Sequence, residues 1–260
     1  MENTTADMPK TIETLEFDTD AGLGHTARIG LIVLQTDQTI EYEFAQMFHV
    51  PDVALYHARI PNAMEVSPET LRRMQLALPQ TAALLPEAFQ FDAIGYACTS
   101  GATMIGETKV DKIIREVHPQ AATSNPLTAC KAAFEKFKLR NIALVTPYSP
   151  DVTLEMQANL RSSGFNTVAV ASFNQTDDFT VARITSESIL KAITNIGARD
   201  EVDGVFVSCT SLRTLNIINE AELQIDKPVI TSNQALGWHL ARLSGLRYAK
   251  HDFGRIFTYS

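Results

Sequence analysis

The chain repeats three short segments, once in its first half and once in its second half, in the same order. One matching pair can arise by chance, whereas three pairs in register indicate an internal duplication. A duplication constrains the fold strongly, because it implies two half-domains with the same order of strands and helices. The pairs are Ile-Gly-Leu-Ile-Val at 29–33 with Ile-Ala-Leu-Val-Thr at 142–146, Asp-Ala-Ile-Gly-Tyr-Ala-Cys-Thr-Ser at 92–100 with Asp-Gly-Val-Phe-Val-Ser-Cys-Thr-Ser at 203–211, and Thr-Ser-Asn at 123–125 with Thr-Ser-Asn at 231–233.

Short apolar runs rich in Val and Ile alternate with longer amphipathic stretches, which is typical of parallel βαβ units. We expect a helix at 68–85, where Ser67 is a suitable N-cap before a proline at the first helical position. The fold class predicted is therefore α/β, with two similar half-domains that each hold a parallel sheet. The other predicted segments are strands at 29–34, 93–97, 142–146 and 205–208 and helices at 127–137, 152–162 and 186–196.

Bulk properties exclude several classes of function. A formal charge of −8 and the lack of a Lys/Arg-rich run argue against nucleic acid or an anionic membrane surface as a partner. No apolar stretch approaches the roughly 20 residues of a membrane-spanning helix. The polar N-terminus does not resemble a secretory signal, and three dispersed cysteines do not form a disulfide framework. These features predict a protein of the reducing cytoplasm.

Cys98 and Cys209 are the residues that most strongly indicate chemistry. Both follow a predicted strand at equivalent positions of the two halves, and ligands of parallel sheets bind beyond the carboxyl ends of the strands. If the halves face each other about a pseudo-twofold axis, both thiols line one cleft between them. Two thiols on opposite faces of a bound carbon can remove a proton from one side and deliver one to the other. Cys130 lies on an apolar helix face and is expected to be structural.

Each cysteine precedes two hydroxyl residues, Thr99 and Ser100 or Thr210 and Ser211. We expect a turn into a helix at both places, whose backbone N–H groups lower the pKa of the thiol and bind a substrate carboxylate. Other motifs are weak: Glu107 stands where the lysine of a phosphate-binding loop belongs, and the six histidines show no metal-ligand spacing. The prediction is an enzyme with no metal and no cofactor.

The paired motifs, with Gly30–Glu41, Thr123–Ala129, Leu144–Tyr148 and Ser232–Gln234, resemble the aspartate/glutamate racemase superfamily. Within it the chain resembles the maleate isomerase group, and most closely the ectoine-utilisation protein A type. The resemblance implies flavodoxin-like half-domains, catalytic roles for Cys98 and Cys209, and positions near the substrate for Asn125 and Tyr148. It also implies that the chain passes to the second half-domain and returns.

The domain organisation expected on this basis has three parts. Residues 1–25 form a polar tail, 26–124 with 234–260 form the first half-domain, and 125–233 form the second. We further expect a homo-oligomer, a dimer or larger.

Two aspartates depart from the maleate isomerase pattern. Asp37 and Asp178 stand where that pattern has asparagines, one of which holds a substrate carboxylate. Both changes favour a small carboxylate substrate that also carries an amino or amide group, rather than maleate. Arylmalonate decarboxylases of this superfamily keep one of the two cysteines, so the presence of both argues against decarboxylation.

The leading hypothesis from sequence is a racemase or epimerase of an amino-acid derivative, with a possible place in ectoine breakdown. The first alternative is cis–trans isomerisation of an unsaturated diacid, in which one cysteine adds to the double bond and the other assists. An alternative of another class is a non-catalytic protein that binds a small molecule.

Overall fold

Eight strands form two separate four-stranded sheets in the part of the chain that the computed structural model describes, residues 11–88, 90–247 and 251–259. All hydrogen-bonded neighbours within a sheet are parallel. The predicted α/β class is confirmed, and the shared strand order is the structural counterpart of the sequence repeat. The first sheet has the order β2-β1-β3-β4, with β1 Ala27–Leu34, β2 Val53–Ile60, β3 Ala93–Ala97 and β4 Ala122–Ser124; the second has the order β6-β5-β7-β8, with β5 Asn141–Thr146, β6 Asn166–Ser172, β7 Gly204–Val207 and β8 Val229–Thr231.

Helices connect the strands as the alternating pattern predicts. They are α1 Ile40–Met47, α2 Pro68–Arg73, α3 Leu78–Ala82, α4 Thr99–Ile105, α5 Glu107–Val117, α6 Pro126–Phe137, α7 Pro150–Ser162, α8 Asp178–Val181, α9 Ser186–Gly197, α10 Ile218–Ile225 and α11 Ser232–Leu243. Short 3₁₀ turns occupy Met74–Leu76, Leu215–Ile217, His251–Phe253 and Arg255–Thr258.

The helix expected at 68–85 is broken into α2, a 3₁₀ turn and α3. Its predicted start is confirmed, because Thr70 donates its backbone N–H to the Ser67 hydroxyl at 3.3 Å. Its continuity was predicted wrongly. Pro79 in the first turn of α3 has no N–H to donate to an earlier turn, so the helix must restart there.

Asp92 and Asp203, at equivalent positions of the repeat, each bind the backbone at the start of a neighbouring strand. The Asp92 carboxylate accepts the backbone N–H of Arg28 at 2.8 Å, which ties the start of β3 to that of β1. In the second half the Asp203 carboxylate accepts the N–H groups of Arg140 and Asn141, at 2.9 and 2.7 Å. Each carboxylate therefore fixes the middle pair of strands, whose carboxyl ends carry the site.

Helix α11 follows the last strand of the second sheet but packs against β3 and β4 of the first. Gly95 makes this approach possible, because a Cβ there would lie 2.8 Å from a methyl carbon of Leu240. This packing supports a return of the chain to the first half, and the boundary at 233/234 stays a prediction.

Candidate active site

One cleft between the two sheets is lined by both cysteines, Cys98 from the end of β3 and Cys209 from the end of β7. Both are buried free thiols. The cleft is narrow, with about 20 Å³ open to the centre of a water molecule. The remaining lining residues are Leu34, Asn62, Ala63, Glu65, Val66, Thr70, Leu71, Met74, Thr99, Ser100, Tyr148, Asp178, Thr210 and Ser211.

Cys98 directly follows β3 in an extended conformation and caps helix α4. Its Sγ accepts the backbone N–H of Gly101 at 3.2 Å and lies 3.7 Å from the Ser100 hydroxyl. Glycine is required at position 101, since a Cβ there would lie 2.9 Å from this sulfur and 2.5 Å from the Tyr96 hydroxyl oxygen. Tight packing thus holds the sulfur against the first turn of the helix.

Burial nevertheless raises the pKa of the Cys98 thiol to about 12. The Gly101 N–H and the Ser100 hydroxyl lower this pKa, whereas the carboxyls of Asp178 and Asp37 raise it further. The expected lowering at a helix start is present, but desolvation outweighs it because an apolar surrounding disfavours the thiolate.

Cys209 has a different backbone environment. Its φ of 141° is rare for a residue with a side chain, and such strain persists only where the surroundings hold it. The loop that follows Cys209 continues as turns to the 3₁₀ turn at Leu215–Ile217, so the helix expected directly after the cysteine is not formed. Burial, then the charge of Asp178, raises the pKa of the Cys209 thiol, and the Tyr148 hydroxyl beside it lowers that pKa.

Ser232 joins the two cysteine segments. Its hydroxyl oxygen accepts the backbone N–H of Cys209 at 3.0 Å and lies 2.7 Å from the Thr99 hydroxyl. The Thr210 hydroxyl donates to the carbonyl of Ala97 across the same boundary at 3.4 Å. The predicted hydroxyl residues thus partly serve to hold the strand ends together, whereas the buried Ser211 hydroxyl has no hydrogen-bond partner among the described residues.

Asp178 lines the cleft, whereas Asp37 does not. The Thr36 hydroxyl donates to Oδ2 of Asp178 at 2.5 Å and itself accepts a hydrogen bond from the Asn62 amide. Burial and the charge of Asp37 raise the pKa of Asp178, although the Thr36 hydroxyl lowers it. Asp178 reaches this position because its backbone N–H bonds the carbonyl of Met64, at 3.2 Å, in the segment after β2.

Asp37 binds the start of helix α1, and its charge also raises the pKa of both cleft thiols. Its Oδ1 accepts the N–H groups of Thr39 and Ile40, at 2.8 and 2.9 Å, at the start of α1. Its Oδ2 is buried with no hydrogen-bond partner among the described residues. Burial raises its pKa, which the two backbone N–H groups lower. The carboxyl is not part of the cleft lining, so its influence on a ligand is through charge.

Asn125 lies outside the cleft, in a separate surface depression beside α5 and α6. Its amide oxygen accepts the N–H groups of Leu127 and Thr128, both at 3.0 Å, and so caps α6. The equivalent Asn233 falls inside the first turn of α11, where its amide donates to the carbonyl of Thr210 at 2.9 Å. The asparagine of the first Thr-Ser-Asn copy therefore caps a helix, whereas that of the second binds the loop after Cys209.

Sequence reasoning missed the residues that come from outside the repeated motifs. Asn62 and Glu65 belong to a segment after β2 that reaches the second half-domain through a bridge between Glu65 and Asp177. Glu43 on α1 contacts the loop after Cys209. No local pattern marks these three residues, because their partners are distant in sequence.

Two further features are absent from the described ranges. No group of three or more His, Cys, Asp or Glu residues there could hold a metal ion. None of the described helices is long and apolar enough to cross a membrane.

Each half-domain holds a parallel sheet and contributes one cysteine to a single cleft. This arrangement defines a class of cysteine-based enzyme. The arylmalonate decarboxylase family model matches residues 29–257, and the chain belongs to this family. The chain is 23% identical to maleate isomerase of Alcaligenes faecalis over 247 residues, 90% of this chain and 97% of that protein. It is 29% identical to arylmalonate decarboxylase of Bordetella bronchiseptica over 145 residues, 54% of this chain and 60% of that one.

Solved structures agree with this fold. Maleate cis–trans isomerase of Nocardia farcinica, as a cysteine-to-serine variant with a covalently bound succinylcysteine intermediate, superposes with a TM-score of 0.83 at 23% identity, covering 90% of this chain and 99% of that chain. Unliganded arylmalonate decarboxylase superposes with a TM-score of 0.73 at 22% identity, covering 90% and 100%. The expected superfamily and maleate isomerase relationship is confirmed, and the ectoine-utilisation type stays a prediction.

Proposed function

We propose that the protein interconverts the cis and trans forms of a small unsaturated carboxylate by reversible addition of a cysteine thiol. The observation that carries this proposal is the pair of buried thiols, one from each half-domain, in a single cleft. The maleate isomerase relatives favour this reaction over the racemisation that the sequence first suggested.

Cys98 is the better nucleophile of the pair. Its sulfur accepts the Gly101 N–H at the first turn of α4, a contact that lowers the pKa of the thiol, whereas no helix begins directly after Cys209. A thiolate is the reactive form of cysteine, so the thiol that loses its proton more readily is the one that attacks.

The proposed steps balance with one proton shared by the two sulfurs. The Cys98 thiolate forms a bond to one alkene carbon while the Cys209 thiol gives its proton to the other. The former double bond is now single and rotates. The Cys209 thiolate then removes a proton from the same carbon, the carbon–sulfur bond breaks with its electron pair returning to Cys98, and the trans alkene leaves.

The charge of the cleft favours a substrate with one carboxylate and one N–H-bearing group. None of the described residues that line it is Lys, Arg or His, whereas Asp178 and Glu65 are both present. Two carboxylates about 4 Å apart repel by about 4 kcal/mol at an effective dielectric near 20. A half-amide of a cis-unsaturated diacid avoids this repulsion, and its neutral carbonyl also activates the alkene toward a thiol more than a carboxylate does.

The test uses proton NMR to follow maleate, and separately its half-amide maleamate, during incubation with the purified protein. We expect conversion of maleamate to the trans isomer, and mass spectrometry of Cys209→Ser should detect a substrate adduct on Cys98. Cys130→Ala is the control and should remain active, because Cys130 is buried away from the cleft. Ligand binding without isomerisation or proton exchange would instead favour a binding protein.

Racemisation of an amino-acid derivative is the second candidate. The observation in its favour is the Asp178 carboxyl in the cleft, which is suited to a substrate ammonium group. Exchange of the α-proton of an amino acid in deuterated water separates the two reactions. Racemisation removes that proton, whereas cis–trans isomerisation acts on an alkene. Exchange with diaminobutyrate derivatives and no reaction with either alkene would place racemisation first and would agree with a role in ectoine breakdown.

A further inference from the structure

Glu43 is a buried acidic side chain that the proposed chemistry does not use. It lies on α1 of the first half-domain, 3% exposed, and does not line the cleft. A buried carboxylate requires hydrogen-bond donors to compensate for the lost water. All three donors that Glu43 finds belong to residues 214–233 of the chain, beyond Cys209.

Both oxygens of the Glu43 carboxylate accept hydrogen bonds that hold the Cys209 loop, residues 209–215. Oε1 accepts the backbone N–H groups of Thr214 and Leu215, at 2.8 and 2.9 Å. Oε2 accepts the side-chain amide of Asn233 at 2.7 Å, and the same amide nitrogen donates to the carbonyl of Thr210 at 2.9 Å. The carboxylate thus fixes the far end of the loop directly and the residue after Cys209 through one intermediate.

A third contact lies between these two. The Thr39 hydroxyl, at the start of the same helix, donates to the carbonyl of Ser211 at 2.8 Å. The loop from 209 to 215 is therefore held at residues 210, 211, 214 and 215 by groups that α1 carries or orients. This loop has no helix of its own to set its conformation, and Cys209 at its start has the unfavourable φ of 141°.

We propose that Glu43 is a positioning residue, which acts across the half-domain boundary to hold Cys209 in the strained conformation that presents its thiol to the cleft. The effect of Glu43 on turnover rests on the proposed function, whereas its effect on the reactivity of the Cys209 thiol does not. A strained backbone persists only if the surrounding structure over-determines it. Ser232 binds the N–H of Cys209 itself, and the contacts from α1 hold the loop that follows it.

The test compares Glu43→Gln with a matched control, Glu222→Gln. The glutamine that replaces Glu43 keeps one acceptor oxygen for the loop but faces the Asn233 amide with a second amide. Glu222 is buried to the same degree, on α10, and accepts the backbone N–H groups of Val229 and Arg255, at 3.0 and 2.8 Å, away from the cleft. Both changes remove a buried carboxylate, and only the first touches the Cys209 loop.

Two readouts are expected to separate positioning from stability. In Glu43→Gln, kcat for maleamate falls about tenfold with KM changed less than about twofold, because the substrate contacts remain. Mass spectrometry of iodoacetamide-treated protein shows the alkylation ratio of Cys209 to Cys98 changed by about threefold or more. Glu222→Gln leaves both the kinetics and the ratio as in the parent protein.

A milder pair of variants covers the case in which Glu43→Gln does not fold. Thr39→Val removes the hydroxyl that bonds the Ser211 carbonyl, and Thr39→Ser keeps it. We expect the valine variant to change the alkylation ratio and the serine variant to restore it. An unchanged ratio in folded Glu43→Gln and in Thr39→Val, or the same change in Glu222→Gln, would overturn the proposal. If the protein turns over neither alkene, the alkylation ratio still decides the role of Glu43.

Discussion

Asp178 determines the charge that a substrate meets in the cleft. In Asp178→Asn the preference for maleamate over maleate should fall by about tenfold, because an amide can donate to the second carboxylate. The ratio of kcat/KM values for the two substrates measures this change. Asp151→Asn is the matched control, since Asp151 is exposed in the first turn of α7 and does not line the cleft.

The same substitution has a second consequence at Cys209. After burial, the charge of Asp178 is the largest cause of the raised pKa of that thiol. Removal of a neighbouring negative charge stabilises the thiolate, so the pKa of Cys209 should fall in Asp178→Asn. Alkylation of Cys209 followed against pH should therefore begin at a lower pH than in the parent protein. An unshifted profile would contradict the placement of Asp178 beside this sulfur.

At the scale of single elements, the first turn of α4 depends on the absence of a side chain at position 101. Gly101→Ala would place a methyl group 2.9 Å from the Cys98 sulfur and 2.5 Å from the Tyr96 hydroxyl oxygen. We expect a loss of about 1–3 kcal/mol in the free energy of unfolding. Activity should fall more steeply, because the sulfur must move. Thr108→Ala, at an exposed position of α5, should change neither quantity.

Helix α1 carries a carboxyl whose ionisation opposes folding. Burial raises the pKa of Glu43 to about 7 from 4.5, although its hydrogen-bond donors lower it. The folded state therefore binds a proton more tightly than the unfolded state, and stability falls as pH rises from about 4.5 to about 7, by about 3 kcal/mol. Denaturant unfolding at several pH values should show that Glu43→Gln reduces this fall, whereas Glu201→Gln, at an exposed position in the turn before β7, leaves it unchanged.

At the scale of the whole molecule, the cleft exists only where the half-domains meet. Segment 62–66 of the first half bonds segment 176–178 of the second, with the Val66 N–H donating to the Thr176 carbonyl at 2.8 Å. A ligand in the cleft therefore contacts both halves. We expect succinamate, the saturated analogue of maleamate, to slow alkylation of Cys98 and Cys209 together in a peptide-resolved assay. Protection of only one thiol would be inconsistent with a shared site.

Much of this architecture follows from local patterns in the sequence. The Val/Ile-rich runs, the Ser67 cap and the repeated segments depend on residues close together in the chain, so they predicted the α/β class, four of the eight described strands and, to within two residues, the starts of α2, α6, α7 and α9. They did not predict β2, β4, β6 and β8. The repeat also brought Cys98 and Cys209 to equivalent strand ends, which is why the cysteine pair of the site could be named without a structure.

The tertiary structure alone decided what depends on distance between remote residues. The pKa values of the two thiols reflect burial by the whole surrounding fold, which outweighs the local helix start. Asn125 and Asn233 are identical in motif, yet Pro126 allows α6 to begin one residue after Asn125, which leaves that side chain as a cap, whereas α11 begins before Asn233. Glu43 meets its partners only after two half-domains have packed together, and no pattern along the chain encodes that contact.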